Sequence, residues 1–298
     1  MLKLLQYIVL AGAALAAAGS HAQPRTDQAI PLGTGEMTIE AGTAAHSASM
    51  QVFYATPNHI TPDTRIVFVM HGARRDASHY RDIWTPYAQQ YGFIAIAPKF
   101  SSEQFPGFWR YQMGNVFNAA GEREPPDTTA YAAIEKIFDA VRRKFRLNAN
   151  TYDIFGHSAG GQFVHRMVLF WPQAHIRLAI AANAGTYTVP DTSVPLPFGI
   201  GNAGLDRATL AHAFGTRLVV MAGSRDTNPN HRLLNRSAGA MKEGPNRLAR
   251  AKYFFDAARR AAQQAGVPFR WTFQIVEGVG HNAAGMSAAA SKIIGAQQ

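Results

Sequence analysis

Five short apolar runs, each ending at a glycine, a proline or a polar residue, constrain the fold of this chain most strongly. They are Arg65–Met70, Gly92–Ala97, Thr151–Phe155, Ile176–Ala182 and Arg217–Ala222. None alternates polar with apolar residues, so each reads as a strand covered on both faces. Met37–Ala41 and Ser49–Tyr54 read as an antiparallel opening pair, and Phe269–Val276 is an eighth candidate strand. Helical stretches lie between them. Tyr131, Ile134, Phe138, Val141 and Phe145 keep helical spacing, with Asp127 or Thr128 as the expected cap after Pro125-Pro126. A second helix runs from Ala159 to Phe170 and is stopped by Pro172. A third, from about Leu248 to Gln264, places Leu248, Ala251, Phe255, Ala258 and Ala262 on one face. Alternating strands and helices predict an α/β fold with a mostly parallel eight-stranded sheet, helices on both faces and loop insertions over its carboxyl end.

The N-terminus reads as a secretory leader. Lys3 precedes an uncharged apolar run, Leu4–Ala18, and Ser20-His21-Ala22 ends in the small-residue pattern of a cleavage site. The run is shorter than the roughly 20 residues that span a bilayer, so no stable membrane anchor is expected. Residues 1–22 are thus assigned as signal peptide and 23–298 as one catalytic domain, with no linker or repeat to divide them. The expected location is periplasmic or extracellular. The chain contains no cysteine, which excludes disulfide scaffolds, thiolate metal sites and cysteine catalysis.

Chemistry concentrates at three loops. Gly156-His157-Ser158-Ala159-Gly160 follows one expected strand and opens a helix, the context a nucleophile elbow requires. Gly156 and Gly160 leave room for the tight strand–helix approach. A serine hydroxyl needs a base to take its proton and a third group to orient that base. Asp226, in Gly223-Ser224-Arg225-Asp226, and His281, in Gly278-Val279-Gly280-His281-Asn282, each follow a strand. The order Ser…Asp…His matches the elbow hydrolases, and Asp191 and Asp206 are the substitutes for the acid. Val69-Met70-His71-Gly72-Ala73 follows the first apolar run. Gly72 lets that loop turn, and the backbone N–H groups of Ala73 and Ala159 are the expected oxyanion donors. His71 is expected to pack beneath this loop rather than to act as a base or ligand. No H-E-x-x-H, P-loop or G-x-G-x-x-G occurs, so no metal or cofactor is expected.

Together the His-Gly turn, the Gly-His-Ser-Ala-Gly elbow, the late Gly-x-x-Asp and the final Gly-His resemble the α/β-hydrolase superfamily over nearly the whole chain after the leader. Within it the chain is similar to the secreted esterase branch of the poly(3-hydroxybutyrate) depolymerase-like kind. The resemblance implies Ser158 as nucleophile, Asp226 as acid and His281 as base, acting on a carboxylic ester through an acyl-enzyme.

Around these loops, Phe105, Phe108, Trp109 and Tyr111 follow the fourth strand, and Tyr187 lies in a Pro/Gly-containing segment up to Phe214. These aromatics either line an acyl pocket or form the core of a small cap. Asn115 and Asn183 are candidate polar contacts. The net charge is +10, and residues 217–260 hold ten Lys or Arg against three acids. Arg232, Arg236, Lys242, Arg247, Arg250, Lys252, Arg259 and Arg260 read as a solvated helix face and its approach. The sharper reading makes them, with Arg74 and Arg75, a rim that attracts an anionic substrate such as polyaspartate. The expected partner is a small-molecule or polymeric ester, with an anionic substrate as the variant. No nucleic-acid motif accompanies the charge, so nucleic acid is not expected. The rivals are an amide or polyanion hydrolase with the same triad, and a non-catalytic binding protein on this fold.

Overall fold

The computed structural model describes residues 31–41 and 49–296; the leader expected over residues 1–22 lies outside them. Eight strands form one sheet: β1 (Thr34–Ile39), β2 (Met50–Ala55), β3 (Arg65–Met70), β4 (Phe93–Pro98), β5 (Tyr152–His157), β6 (Ile176–Ala182), β7 (Leu218–Gly223) and β8 (Thr272–Val276). Their spatial order is β1-β2-β4-β3-β5-β6-β7-β8. β1 and β2 pair antiparallel, as do β2 and β4, and every other pairing is parallel. β8 begins later than Phe269: Phe269 packs edge-on against Phe214, and the Arg270 N–H donates to the Phe214 carbonyl instead of to the ladder.

The helices are α1 (Ala77–Tyr91), α2 (Gly107–Arg110), α3 (Ala130–Phe145), α4 (Ala159–Phe170), α5 (Arg207–Gly215), α6 (Ala238–Glu243), α7 (Arg247–Ala265) and α8 (Ala283–Gly295). Strand side chains point alternately to the two faces of the sheet. On one face Val67, Val69, Ala95, Phe155, Ile180 and Met221 meet Tyr80, Trp84 and Ala88 of α1 and Met286, Ala290 and Ile294 of α8. On the other, Phe68 of β3 and Tyr152 of β5 pack edge-on, and Phe138 of α3 covers Tyr152. Both faces are covered, which is why β4 and β7, and β3 after Arg65, are apolar without alternation; in β5 the buried Asp153 is paired with Arg177.

The cap of α3 is Thr129, which accepts from the Ala132 N–H; Asp127 and Thr128 fall in a short 3-10 turn over Pro126–Thr128. All of α4 is buried, including Gln162, His165 and Arg166. On α7 the expected Ala251, Ala258 and Ala262 are buried, but Arg247, Arg250 and Phe254 complete the inner face in place of Leu248 and Phe255, which are half-buried. The chain leaves β3 toward β4 on one side and returns to β5 on the other. At such a reversal the loops after the two strands diverge and leave a crevice at their carboxyl ends.

Candidate active site

Ser158 stands at that crevice, between the last residue of β5 and the first of α4. Its backbone is held at φ 60°, ψ −113°, a conformation that costs a non-glycine residue roughly 1–3 kcal/mol and persists only where the surroundings impose it. The surroundings here are close backbone contacts. A Cβ on Gly156 would lie 2.1 Å from the Gly160 carbonyl oxygen, and one on Gly160 would lie 2.2 Å from that of Met70. The glycines of the elbow are therefore required by contact with β3 and α4.

The loops after β7 and β8 are tied together before they reach the serine. The Ser224 and Arg225 N–H groups donate to the Val276 and Val279 carbonyls, and the Gly278 N–H donates to the Ser224 hydroxyl. Asn183, at the end of β6, joins both loops: its Nδ2 donates to the Gly280 carbonyl at 3.0 Å, and its Oδ1 accepts the Gly223 N–H at 2.8 Å. It is fully buried and acts as a clasp, not as a substrate contact. Asn282 caps α8, so His281 is fixed immediately before a helix start.

These ties bring three of the expected residues into one hydrogen-bonded chain. His281 Nε2 lies 3.0 Å from the Ser158 hydroxyl, and its Nδ1 lies 2.7 Å from Asp226 Oδ2. A carboxylate can only accept, so Nδ1 carries the ring proton and Nε2 accepts from the serine. Asp226 is 3% exposed and His281 is 12% exposed at its side chain. Asp191 instead accepts from Ser193, and Asp206 caps α5, so neither substitute faces the histidine.

On the opposite wall, the Gly72 carbonyl accepts the Arg75 N–H in a tight turn, and Ala73 faces the cleft beside Ser158. Ala159 is the first residue of α4, so its N–H has no acceptor within the helix. Beneath the turn lies His71, fully buried, with Nδ1 donating to the Gly72 carbonyl and Nε2 accepting the Phe100 N–H. Burial holds its pKa down at about 3, so the ring is a neutral strut.

Two further histidines flank His281. His157 is buried, its ring 4.8 Å from that of His281 and its Nδ1 3.0 Å from the Tyr80 hydroxyl. Burial, then the neighbouring His281 and Arg247, hold it well below the usual histidine range. His231 packs on His281 at 5.1 Å between ring centroids. The only sequence signal for either was proximity to the motif: His157 inside the elbow and His231 five residues after the acid.

The expected substrate aromatics are placed elsewhere. Phe105 and Tyr111 are buried with Phe100, and Tyr111 also packs against Phe163. Phe108 and Trp109 pack on each other, with the Arg166 guanidinium over the Phe108 ring. Tyr187 is buried, stacked on Phe254 and packed against His165. None lines the cleft; Phe105, Tyr111 and Tyr187 belong to buried aromatic clusters beneath the loops, while Phe108 and Trp109 are half-buried against each other. Asn115 is likewise buried and donates to the Thr128 carbonyl. The cleft, about 260 Å³, is lined instead by Gly72, Ala73, Arg74, Asp76, His79, Tyr80, His157, Ser158, His231, Arg232, Leu233, His281, Asn282 and Ala283.

The basic face also divides. Arg232, Arg236, Lys242, Lys252, Arg259 and Arg260 are exposed, whereas Arg247 and Arg250 are buried. Arg250 donates to the carbonyls of Gly244, Gly185 and Asn235, tying three loops to α7. Arg75 turns away from the cleft, donating to the Phe100 and Phe105 carbonyls and lying over the Tyr111 ring. Arg74 remains exposed at the cleft. Among the described residues no helix is long and apolar enough to cross a membrane.

No protein-family model and no curated protein matches the sequence. Solved structures do. The chain is similar to poly(aspartic acid) hydrolase-1 from Sphingomonas sp. KT-1, with 39% identity over 88% of this chain and 98% of the other, at a TM-score of 0.84. It is similar to LpqC, a poly(3-hydroxybutyrate) depolymerase from Bordetella parapertussis, with 32% identity over 90% and 92% of the chains, at a TM-score of 0.83. S-formylglutathione hydrolase from Staphylococcus aureus, at 15% identity over 88% and 97% and a TM-score of 0.55, shares the fold.

Proposed function

The chain belongs to the esterase and depolymerase branch of the α/β-hydrolase superfamily and is a hydrolase; we propose that it is a periplasmic or secreted serine hydrolase working by acyl transfer on Ser158. The observation that carries this reading is the chain Ser158–His281–Asp226 at 3.0 and 2.7 Å. Ser158 Oγ attacks a carboxyl carbonyl and passes its proton to His281 Nε2, while Asp226 accepts from Nδ1 and balances the imidazolium. The Ala73 and Ala159 N–H groups receive the tetrahedral oxyanion, and His281 then protonates the leaving group. Water repeats the sequence and releases the acyl group. The location rests on the leader-like residues 1–22.

Carboxylic esters are the first substrates to try. Turnover of a p-nitrophenyl ester series by the purified protein is expected to fall by roughly six orders of magnitude, to background, in Ser158→Ala. A folded wild type that is silent on the whole series overturns the ester reading. A second reading, cleavage of an amide-linked polyanion, is favoured by the cleft wall itself. Arg74 and Arg232 line it with one acid, Asp76, and none of the expected aromatics is among its lining residues. Shortening of polyaspartate chains, absent in Ser158→Ala, is the expected result for that reading. Unchanged chain length while esters are cleaved removes it. A serine-reactive phosphonate that leaves Ser158 unlabelled in folded protein would instead favour a binding protein.

A further inference from the structure

A buried guanidinium stands behind the acid of this triad. Arg247, the first residue of α7, is 1% exposed. Its Nη1 donates to Asp226 Oδ1 at 3.4 Å, leaving Oδ2 for His281, and its Nη2 lies 3.3 Å from His231 Nδ1. The Leu248 N–H donates to the Asp226 carbonyl at 3.3 Å, so α7 grips Asp226 by side chain and backbone together. His231 in turn packs on the ring of His281. One planar fork therefore joins the acid to a second group in contact with the base.

We propose that Arg247 is a positioning residue that holds Asp226 and His231 against His281 and, by its charge, offsets part of the field that the Asp226 carboxylate exerts on the base. The inference rests on the triad reading above. A carboxylate beside an imidazole favours the imidazolium, which cannot accept the serine proton; a cation on the other oxygen offsets part of that field.

The other groups facing His281 come from every neighbouring segment. His157 and Ser158 lie at the end of β5, and His231 and Arg232 lie in the loop after β7. Arg74, Asp76, His79 and Tyr80 lie along the β3–α1 wall of the cleft. His157 is neutral for the reasons given. Burial and then Arg247 hold His231 below the usual histidine range. Among the described residues, Arg247 is the cation in contact with the Asp226 carboxylate.

The test is the pH dependence of Ser158 phosphonylation by a serine-reactive phosphonate, which reads the base without knowledge of the substrate. In Arg247→Gln, with an unchanged circular dichroism spectrum, the acid limb is expected to move up by about one pH unit. Arg247→Lys keeps the charge but loses the two-pronged geometry. It is expected to keep the limb in place while the plateau rate falls up to about tenfold. A folded Arg247→Gln with an unmoved limb overturns the proposal, and so does an Arg247→Lys limb that moves as far as the glutamine variant's. Should Arg247→Gln not fold, Arg247→Met takes its place with the same two outcomes, and an Arg247→Lys plateau rate equal to the wild type's overturns the positioning role. A wild type that the phosphonate does not label removes the triad reading and this inference with it, a result distinct from labelling whose limb does not respond.

Discussion

Buried ionisable side chains govern how this protein responds to pH. Glu243 accepts the Tyr187 N–H at 2.9 Å, and burial pushes its carboxyl up to about 8, offset in part by that bond and by Arg166. A raised carboxyl contributes stability that is complete below its unfolded value near 4.5 and is lost as pH rises toward 8. Melting temperature is therefore expected to decline over that window and to decline less in Glu243→Gln, which keeps the shape without the charge. Equal slopes for both proteins would contradict this. His71, His157 and His165 carry the opposite sign, since burial depresses all three. Their contribution is complete above about 6.5 and is lost on acidification. Asn183→Ala tests a different residue-scale claim. Without the clasp between the Gly223 and Gly280 loops, kcat is expected to fall roughly ten- to a hundredfold with KM changed little. An unaffected kcat would mean the loops hold His281 unaided. Neither role was legible beforehand, because an asparagine after a strand and a glutamate in a basic segment look like surface residues until partners from distant segments close over them.

The decisive contacts between elements are those of backbone on backbone. α4 sits so close to β3 that the Gly160 Cα has a carbonyl where a side chain would begin. Gly160→Ala is expected to destabilise the fold by about 3 kcal/mol and to lower activity as the elbow shifts, read by chemical denaturation alongside turnover. A change under 1 kcal/mol would show that the elbow can yield. On α7, Arg250→Met leaves the carbonyls of Gly244, Gly185 and Asn235 without their shared donor, and a loss of about 2–4 kcal/mol is expected. A loss below 1 kcal/mol would mean that those carbonyls find other donors. Strands were readable in the sequence because burial on both faces writes itself as an apolar run. α1 was not: Ala77, Tyr80, Trp84 and Ala88 keep helical spacing, but Pro86 inside the helix breaks its reading. The face of α7 was read only in part, through Ala251, Ala258 and Ala262, because helical periodicity scores Arg247 and Arg250 as solvent-facing. What reverses this is a set of acceptors on other loops.

The whole molecule carries a net charge of +10, and Arg74 and Arg232 bring part of it to the cleft. If an anionic polymer is the substrate, raising ionic strength from about 0.05 to 0.5 M is expected to lower its kcat/KM several-fold. Turnover of a neutral p-nitrophenyl ester should change little. Equal salt responses would remove steering as an explanation for the basic surface. The order Ser158, Asp226, His281 and the loops that carry them were already determined by the sequence, because elbow glycines and strand-end positions are local signals along the chain. What lines the cleft, and which arginines are spent inside the protein, only the tertiary structure decided. Phe105, Tyr111, Tyr187, Arg247 and Arg250 are interior or exposed according to what segments up to tens of residues away place against them, and no local pattern encodes that.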